Sequence, residues 1–197
     1  MNIFLDLGTH YGQGLREFMR MYRMDEAWNI YTFEANPITY EIYVNNYHNL
    51  TPLVKHHNKA VSDHDGLVTV NIETPPGEGE TGMGSSIMDM DAWNPWKMAE
   101  PDKNHFKTTA QVPCIDISNF IQENFDKDDR IIVKMDIEGA EFQALEKMIT
   151  DKTILKVKEI WIEFHEEFFN NPEPYRIRKA AILKYLSENR IVFHEWH

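Results

Sequence analysis

Apolar residues in this chain fall into two alternating patterns. Unbroken or nearly unbroken runs occur at 3–7 (IFLDL), 29–33 (NIYTF), 53–61, 111–117 (QVPCIDI), 131–137 and 156–163 (KVKEIWIE), with a last short one at 191–196. Such runs predict strands, most of them buried in a parallel sheet. Between them apolar residues recur three and four positions apart. The sets are Leu15, Phe18, Met19 and Tyr22; Ile38, Ile42 and Tyr43; Ile117, Phe120 and Ile121; Phe142, Leu145, Met148 and Ile149; and Ala181, Ile182, Tyr185 and Leu186. Each makes one face of an amphipathic helix. Strands alternating with helices predict an α/β fold, a mostly parallel sheet with helices on both faces.

Two stretches break this rhythm. At 66–73 (GLVTVNIE), Val68, Val70 and Ile72 alternate with Thr69, Asn71 and Glu73, which predicts a half-exposed, antiparallel added strand. Residues 74–110 hold TPPGEGETGMGSS and then Trp93, Trp96, His105 and Phe106 among polar residues. Neither period is present, so this reads as a long loop, a lid over a substrate in preference to a plain surface insertion.

The strand ends carry the candidate chemistry. Gly8, Gly12 and Gly14 follow the first strand, where glycine lets a backbone approach a ligand and the next helix offers free N–H groups. The spacing is G-x-x-x-G-x-G, so the dinucleotide pattern G-x-G-x-x-G is not met. Asp6 precedes the turn. Glu34 ends the second strand, 26 residues beyond Gly8, where α/β cofactor folds set an acid against ribose hydroxyls. Asn36 and Pro37 then suit an N-cap and first helical turn. Turn and acid together favour a nucleoside-containing cofactor over an ordinary strand-to-helix connection.

The central unit is 130–149, RIIVKMDIEGAEFQALEKMI. It places Asp136 and Glu138 at the carboxyl end of a strand, with Glu141 in the first helical turn, where the dipole favours an acid. If the extended geometry persists, the first two share a face. Paired carboxylates raise one pKa and suit proton abstraction. His165 follows the next strand and can join them. Lys134, inside an apolar run, needs an acid beside it and reads as a structural ion pair. The acids and His165 could also hold a divalent ion such as magnesium; the residues alone do not commit to one. The zinc pattern H-E-x-x-H fails at Phe169. His56 and His57 face opposite ways on a strand and read as structural.

The totals narrow the classes. The 197 residues suit one domain, 1–197. A net charge of −12 with a pI near 5.1 disfavours nucleic acid and anionic membranes as partners. Cys114 is the single cysteine, so no internal disulfide forms. No apolar run approaches the roughly 20 residues of a membrane span. MNIFLDLG runs straight into a strand, so no signal peptide is expected and a cytoplasmic setting fits.

Seven stretches, in order, resemble the FkbM family of S-adenosylmethionine-dependent methyltransferases. They are FLDLGTHYGQ at 4–13, YTFEANP at 31–37, NKAVSDHDG at 58–66, GMGSS at 82–86, VPCIDISNFI at 112–121, KMDIEGAEFQAL at 134–145 and IWIEFH at 160–165. The resemblance implies a Rossmann-like class I methyltransferase fold with an added β/loop insertion. It implies S-adenosylmethionine as cofactor and methyl transfer to a hydroxyl of a small-molecule acceptor, a sugar, glycan or other. Asp6, Gly8, Thr9, His10 and Gly12 fall on the first cofactor motif, Glu34 and Ala35 on the ribose, Ser62 and Asp63 near adenine. Asp136 and Glu138 fall on the acidic turn that faces the active site, Asp136 counting with the cofactor set as well; His165 joins the catalytic set from its own place at a strand end. His10 departs from the family, where many members have a small residue. Two rivals stand beside this reading: an NAD-type oxidoreductase and a non-catalytic cofactor-binding module. The residues do not specify an oligomeric state.

Overall fold

The first apolar run becomes β1 (Asn2–Leu7), and it lies at the middle of the main sheet. On one side it pairs in parallel with β2 (Trp28–Phe33), which pairs with β3 (Val54–His57). On the other it pairs with β7 (Arg130–Met135), followed outward by β8 (Val157–Ile162) and β9 (Val192–Glu195), again all parallel. This computed structural model describes residues 1–47, 53–73, 84–94, 106 and 108–196. No described helix is long and apolar enough to cross a membrane.

The chain steps one way from β1 and the opposite way from β7. Right-handed crossovers therefore set the helices on opposite faces. α1 (Gln13–Met21) and α2 (Pro37–Tyr47) cover one face, where Leu15, Phe18 and Tyr43 pack on Phe4 and Ile30. α3 (Ile117–Asn124), α4 (Glu141–Thr150) and α5 (Glu173–Glu188) belong to the other, where Ile121, Phe142, Leu145 and Ile182 pack with Ile3, Leu5, Ile131 and Val133. Sheet order reverses between β1 and β7, and the crevice outside the carboxyl ends at such a point is where open α/β sheets bind ligands.

The expected strand at 53–61 is in fact two. β3 ends at His57, and β4 (Ala60–Ser62) joins a second, three-stranded sheet. There β6 (Thr108–Asp116) lies between β4, parallel to it, and β5 (Gly66–Ile72), antiparallel to it. At the break, the Asn58 amide donates to the carbonyls of Glu34 and Ala35, at 2.8 and 3.2 Å. The added strand is thus antiparallel as expected, but in its own sheet around Val70, Ile72, Val112 and Cys114. His56 and His57 do face opposite ways: His56 meets the Tyr43 hydroxyl at 2.9 Å, and His57 stacks on Phe33.

Within the expected loop at 74–110, residues 108–110 already belong to β6. Trp93 is 1% exposed, packed among His165, Phe168 and Phe169 rather than over a site. Trp96, His105 and most of the glycine-rich stretch lie outside the described residues.

The turns after β1 and β7 touch at Gly8. It has a φ of +82°, and a Cβ there would stand 1.7 Å from the Asp136 carbonyl oxygen. Gly8→Ala should therefore lower the unfolding free energy by about 2–4 kcal/mol in chemical denaturation, from backbone strain plus displacement of the facing turn. Gly66→Ala, with a φ of +151° but a Cβ that meets nothing within 4 Å, should cost less, since it carries the backbone strain without the displacement.

Candidate functional site

One wall of the crevice grows out of β1 and β2. The Gly8 and Thr9 amides both donate to the Phe33 carbonyl at 3.0 Å, stitching the glycine turn to the end of β2. The Glu34 carboxylate closes this wall. Its two oxygens accept from the backbone amides of His10 and Asn36, each at 2.8 Å. The Asn36 side chain accepts from the Ile38 amide at 3.0 Å, the N-cap that the sequence predicts for α2. His10 adopts a left-handed φ of 51°, which turns its amide onto Glu34. Each Glu34 oxygen keeps a lone pair for a further donor, so the carboxylate fits a ribose diol. Burial pushes its pKa up to about 7, against the pull of the Asn36 and His10 amides.

The other wall is the acidic turn after β7. Extended geometry stops at Met135, and Glu138 and Gly139 have φ of 53° and 101°. The shared strand face expected for Asp136 and Glu138 is thus replaced by a left-handed turn, which brings them together by another route. The Asp136 amide donates to the Leu7 carbonyl at 3.0 Å, and the Ser86 hydroxyl to the Glu138 carbonyl at 2.5 Å. Glu141, fully buried, accepts from the amides of Ile137 at 2.8 Å and Gly139 at 3.1 Å. A Cβ on Gly139 would stand 2.6 Å from the Trp93 ring, so Trp93 backs the turn.

His165 joins this turn. Its Nδ1 meets Glu141 Oε1 at 3.1 Å. Its Nε2 stands 3.6 Å from Glu138 Oε2, 3.8 Å from Glu163 Oε1 and 3.9 Å from Asp136 Oδ1. Asp136, Glu138 and His165 therefore converge as the sequence suggests. Burial alone would lower the His165 pKa, but Glu141, Glu138 and Asp136 together hold it up at about 10. The surrounding acids thus favour the protonated ring. Burial raises Glu138 well above the usual range, eased by His165 and reinforced by Asp136.

Lys134 connects the two walls. Its ammonium donates to the Gly8 carbonyl at 2.6 Å and to Asp136 Oδ2 at 3.0 Å, and lies 3.7 Å from Asp6 Oδ1. The ion pair is structural, as expected, but it also fixes the spacing of the cleft. Burial lifts Asp6 to about 6, with Lys134 opposing. Asp6, Thr9 and Gly12 brace the turn from behind: the Thr9 hydroxyl donates to the Asp6 carbonyl at 3.1 Å, and the Tyr47 hydroxyl to that of Gly12 at 3.0 Å.

The cleft between these walls is lined by Gly8, His10, Glu34 and Ala35, and opposite them by Asp136, Glu138 and Glu163. Lys59, Ala60, Val61 and Ser85 also line it, with Phe33, Ile87 and Ile137. Ser62 and Asp63 are not among its lining residues. Ser62 is fully buried, accepts from Gln143 at 2.8 Å and donates to Asp63, because β4 carries it into the second sheet. Sequence reasoning missed Glu141, Glu163, Ser85 and Ser86 as site residues. The signal for the serines was GMGSS; for Glu163, its place at the end of β8.

The Glu34 carboxyl predicts a pH dependence. Its pKa is about 7 when folded against 4.5 ordinarily, so between those values the unfolded chain gives up a proton that the folded chain keeps. Its contribution to stability is full below pH 4.5 and is lost as pH rises through about 7. Denaturation midpoints from pH 4.5 to 7.5 should show this downward component in the ligand-free protein, and Glu34→Gln should reduce it, leaving the parts that Asp6 and Glu138 contribute with the same sign.

Comparison with known proteins bears on the family and the fold. The sequence profile of the methyltransferase FkbM domain matches residues 6–189. The crystal structure of methyltransferase FkbM from Methylobacillus flagellatus aligns with a TM-score of 0.50 and 13% identity, over 93% of this chain and 38% of that protein. The present chain thus spans about two fifths of that relative's length. The yeast methylglyoxal/isovaleraldehyde reductase Gre2, complexed with NADPH, aligns over 99% of this chain and 52% of its own at 13% identity, but with a TM-score of only 0.42, too low to bear on function. No curated protein sequence matches significantly. With its two walls meeting where the sheet order reverses, and a domain profile running through nearly all of it, the chain belongs to the FkbM methyltransferase family.

Proposed function

We propose that this protein is an S-adenosylmethionine-dependent O-methyltransferase acting on a hydroxyl of a small molecule, a sugar or a comparable polyol. The observation that carries this reading is the opposition of Glu34 and Asp136/Glu138 across one cleft. Glu34 can take the ribose hydroxyls on lone pairs its own loop leaves over. Gly8, without a side chain, lets the cofactor approach the backbone. When bound, S-adenosylmethionine supplies an electrophilic methyl group on a sulfonium. The acidic turn holds the acceptor hydroxyl in line with that methyl and takes the proton the hydroxyl gives up. The products are S-adenosylhomocysteine and a methyl ether. Asp136 is tied to Lys134, whereas burial raises the proton affinity of Glu138, which makes Glu138 the better acceptor.

The NAD reading keeps one argument. Counted along the main sheet, the strand order 3-2-1-4-5-6 is also that of dinucleotide-binding folds. Calorimetry separates the two. S-adenosylmethionine and S-adenosylhomocysteine should bind and NAD should not, and Glu34→Ala should weaken cofactor binding by roughly 1–3 kcal/mol. Tight NAD binding with no heat from S-adenosylmethionine would reverse the assignment.

The acidic turn is tested with an acceptor in hand. Asp136→Asn and Glu138→Gln preserve shape and remove charge. At least one should slow methyl transfer by about 10²–10⁴-fold while S-adenosylhomocysteine still binds. Parent rates in both variants would move the chemistry elsewhere.

A further inference from the structure

Five carboxylates, those of Asp6, Asp136, Glu138, Glu141 and Glu163, gather around two cations, Lys134 and His165. We propose that Asp136, Glu138 and His165 bind a divalent cation at the acceptor end of the cleft, with Glu141 supporting His165 from outside. The proposal deepens the methyltransferase reading and rests on it for the word acceptor; the binding itself does not.

The three donors lie within 4.8 Å of one another. An ion with bonds of about 2.1 Å spans ligands up to about 4.2 Å apart. The His165 pairs with Glu138 and Asp136, at 3.6 and 3.9 Å, already satisfy that; the Asp136 and Glu138 oxygens, within 4.8 Å of each other, close slightly on binding. They are too long for hydrogen bonds, which is the separation expected of ligands that share a centre. Glu138 Oε2 is shielded from solvent and has no hydrogen-bond partner among the described residues, a state that carries a free-energy penalty unless something else meets the oxygen.

The His165 ring supplies the independent sign. It is 4% exposed, and its Nδ1 is committed to Glu141, itself anchored by the Ile137 and Gly139 amides. That leaves Nε2 aimed at Glu138 and Asp136. A carboxylate holding one imidazole nitrogen so that the other presents its lone pair is the usual outer support of a metal-binding histidine. A doubly charged ion would replace the single Nε2 proton and balance more of the surrounding acid. One nitrogen and two carboxylate oxygens, without sulfur, suit Mn²⁺ or Fe²⁺ better than the harder Mg²⁺, and leave positions open for oxygens of the acceptor. A hydroxyl bound there is more acidic; with the ion in place Glu138 is a ligand, and the proton passes to Glu163 on the cleft wall in place of Glu138.

Mn²⁺ titration of the whole chain, read by electron paramagnetic resonance and by calorimetry, tests this. One saturable Mn²⁺ per chain is expected, with pulsed spectra showing nitrogen coupling from a histidine. Asp136→Asn, Glu138→Gln and His165→Ala should each weaken it at least tenfold, the last also removing the nitrogen signal. Glu141→Gln should weaken it by about 10–100-fold without touching the ion. Thermal unfolding followed by circular dichroism on the same samples shows which variants remain folded, and S-adenosylhomocysteine binding is measured on the parent. No saturable Mn²⁺, or a site unmoved by Glu138→Gln and by His165→Ala, overturns the proposal. Mn²⁺ bound as described with no S-adenosylhomocysteine binding to the parent would instead retain the cation and sink the methyltransferase reading.

Discussion

The buried ammonium of Lys134 is the contact on which the rest of the site depends. A lysine in the middle of a parallel sheet, 3% exposed, is strongly destabilising unless it is paired. Here it bonds the Gly8 carbonyl at the end of β1 and Asp136 at the end of β7, with Asp6 at its side. Burial pulls its pKa down, but Asp136 and Asp6 outweigh that and keep it raised, so it stays charged. These bonds join the two turns at the point where sheet order reverses. They fix the distance between the wall that carries Glu34 and the wall that carries Glu138. Gly8 completes the constraint, since any side chain there would force the turns apart.

Behind the acidic turn, Glu141 has a matching role. It binds two backbone amides of the turn and one nitrogen of His165, and so couples β7, α4 and the segment after β8. Trp93 and Ser86, both from the segment after β5, press on the same turn. The left-handed conformation of Glu138 is therefore over-determined by its surroundings, as strained residues at functional sites generally are. The consequence for chemistry is a carboxylate of raised proton affinity held next to a cationic ring and open to the cleft.

Much of this was readable from residue order. The buried strands and amphipathic helices follow from local periodicity, and the strand-end acids from their place after those strands. What was not legible arises from contacts distant in sequence. The run at 53–61 looks continuous, because the break at Asn58 is made by carbonyls of Glu34 and Ala35 on another strand. Glu141 looks like a dipole partner at a helix start; its burial depends on His165, 24 residues on. Ser86 reaches Glu138 across 52 residues. The family resemblance sets Ser62 near adenine, but the switch between sheets buries it away from the cleft. Trp93, in a stretch without periodicity, gave no sign of belonging to the core.

The central claim is that one cleft holds the cofactor on the β1/β2 wall and directs its reacting end to the β7 turn. A crystal structure with S-adenosylhomocysteine tests that most directly. The account predicts the ribose hydroxyls on the Glu34 carboxylate and the sulfur facing Asp136 and Glu138. A ribose bound away from Glu34, or a sulfur pointing out of the β1/β7 crevice, would contradict it.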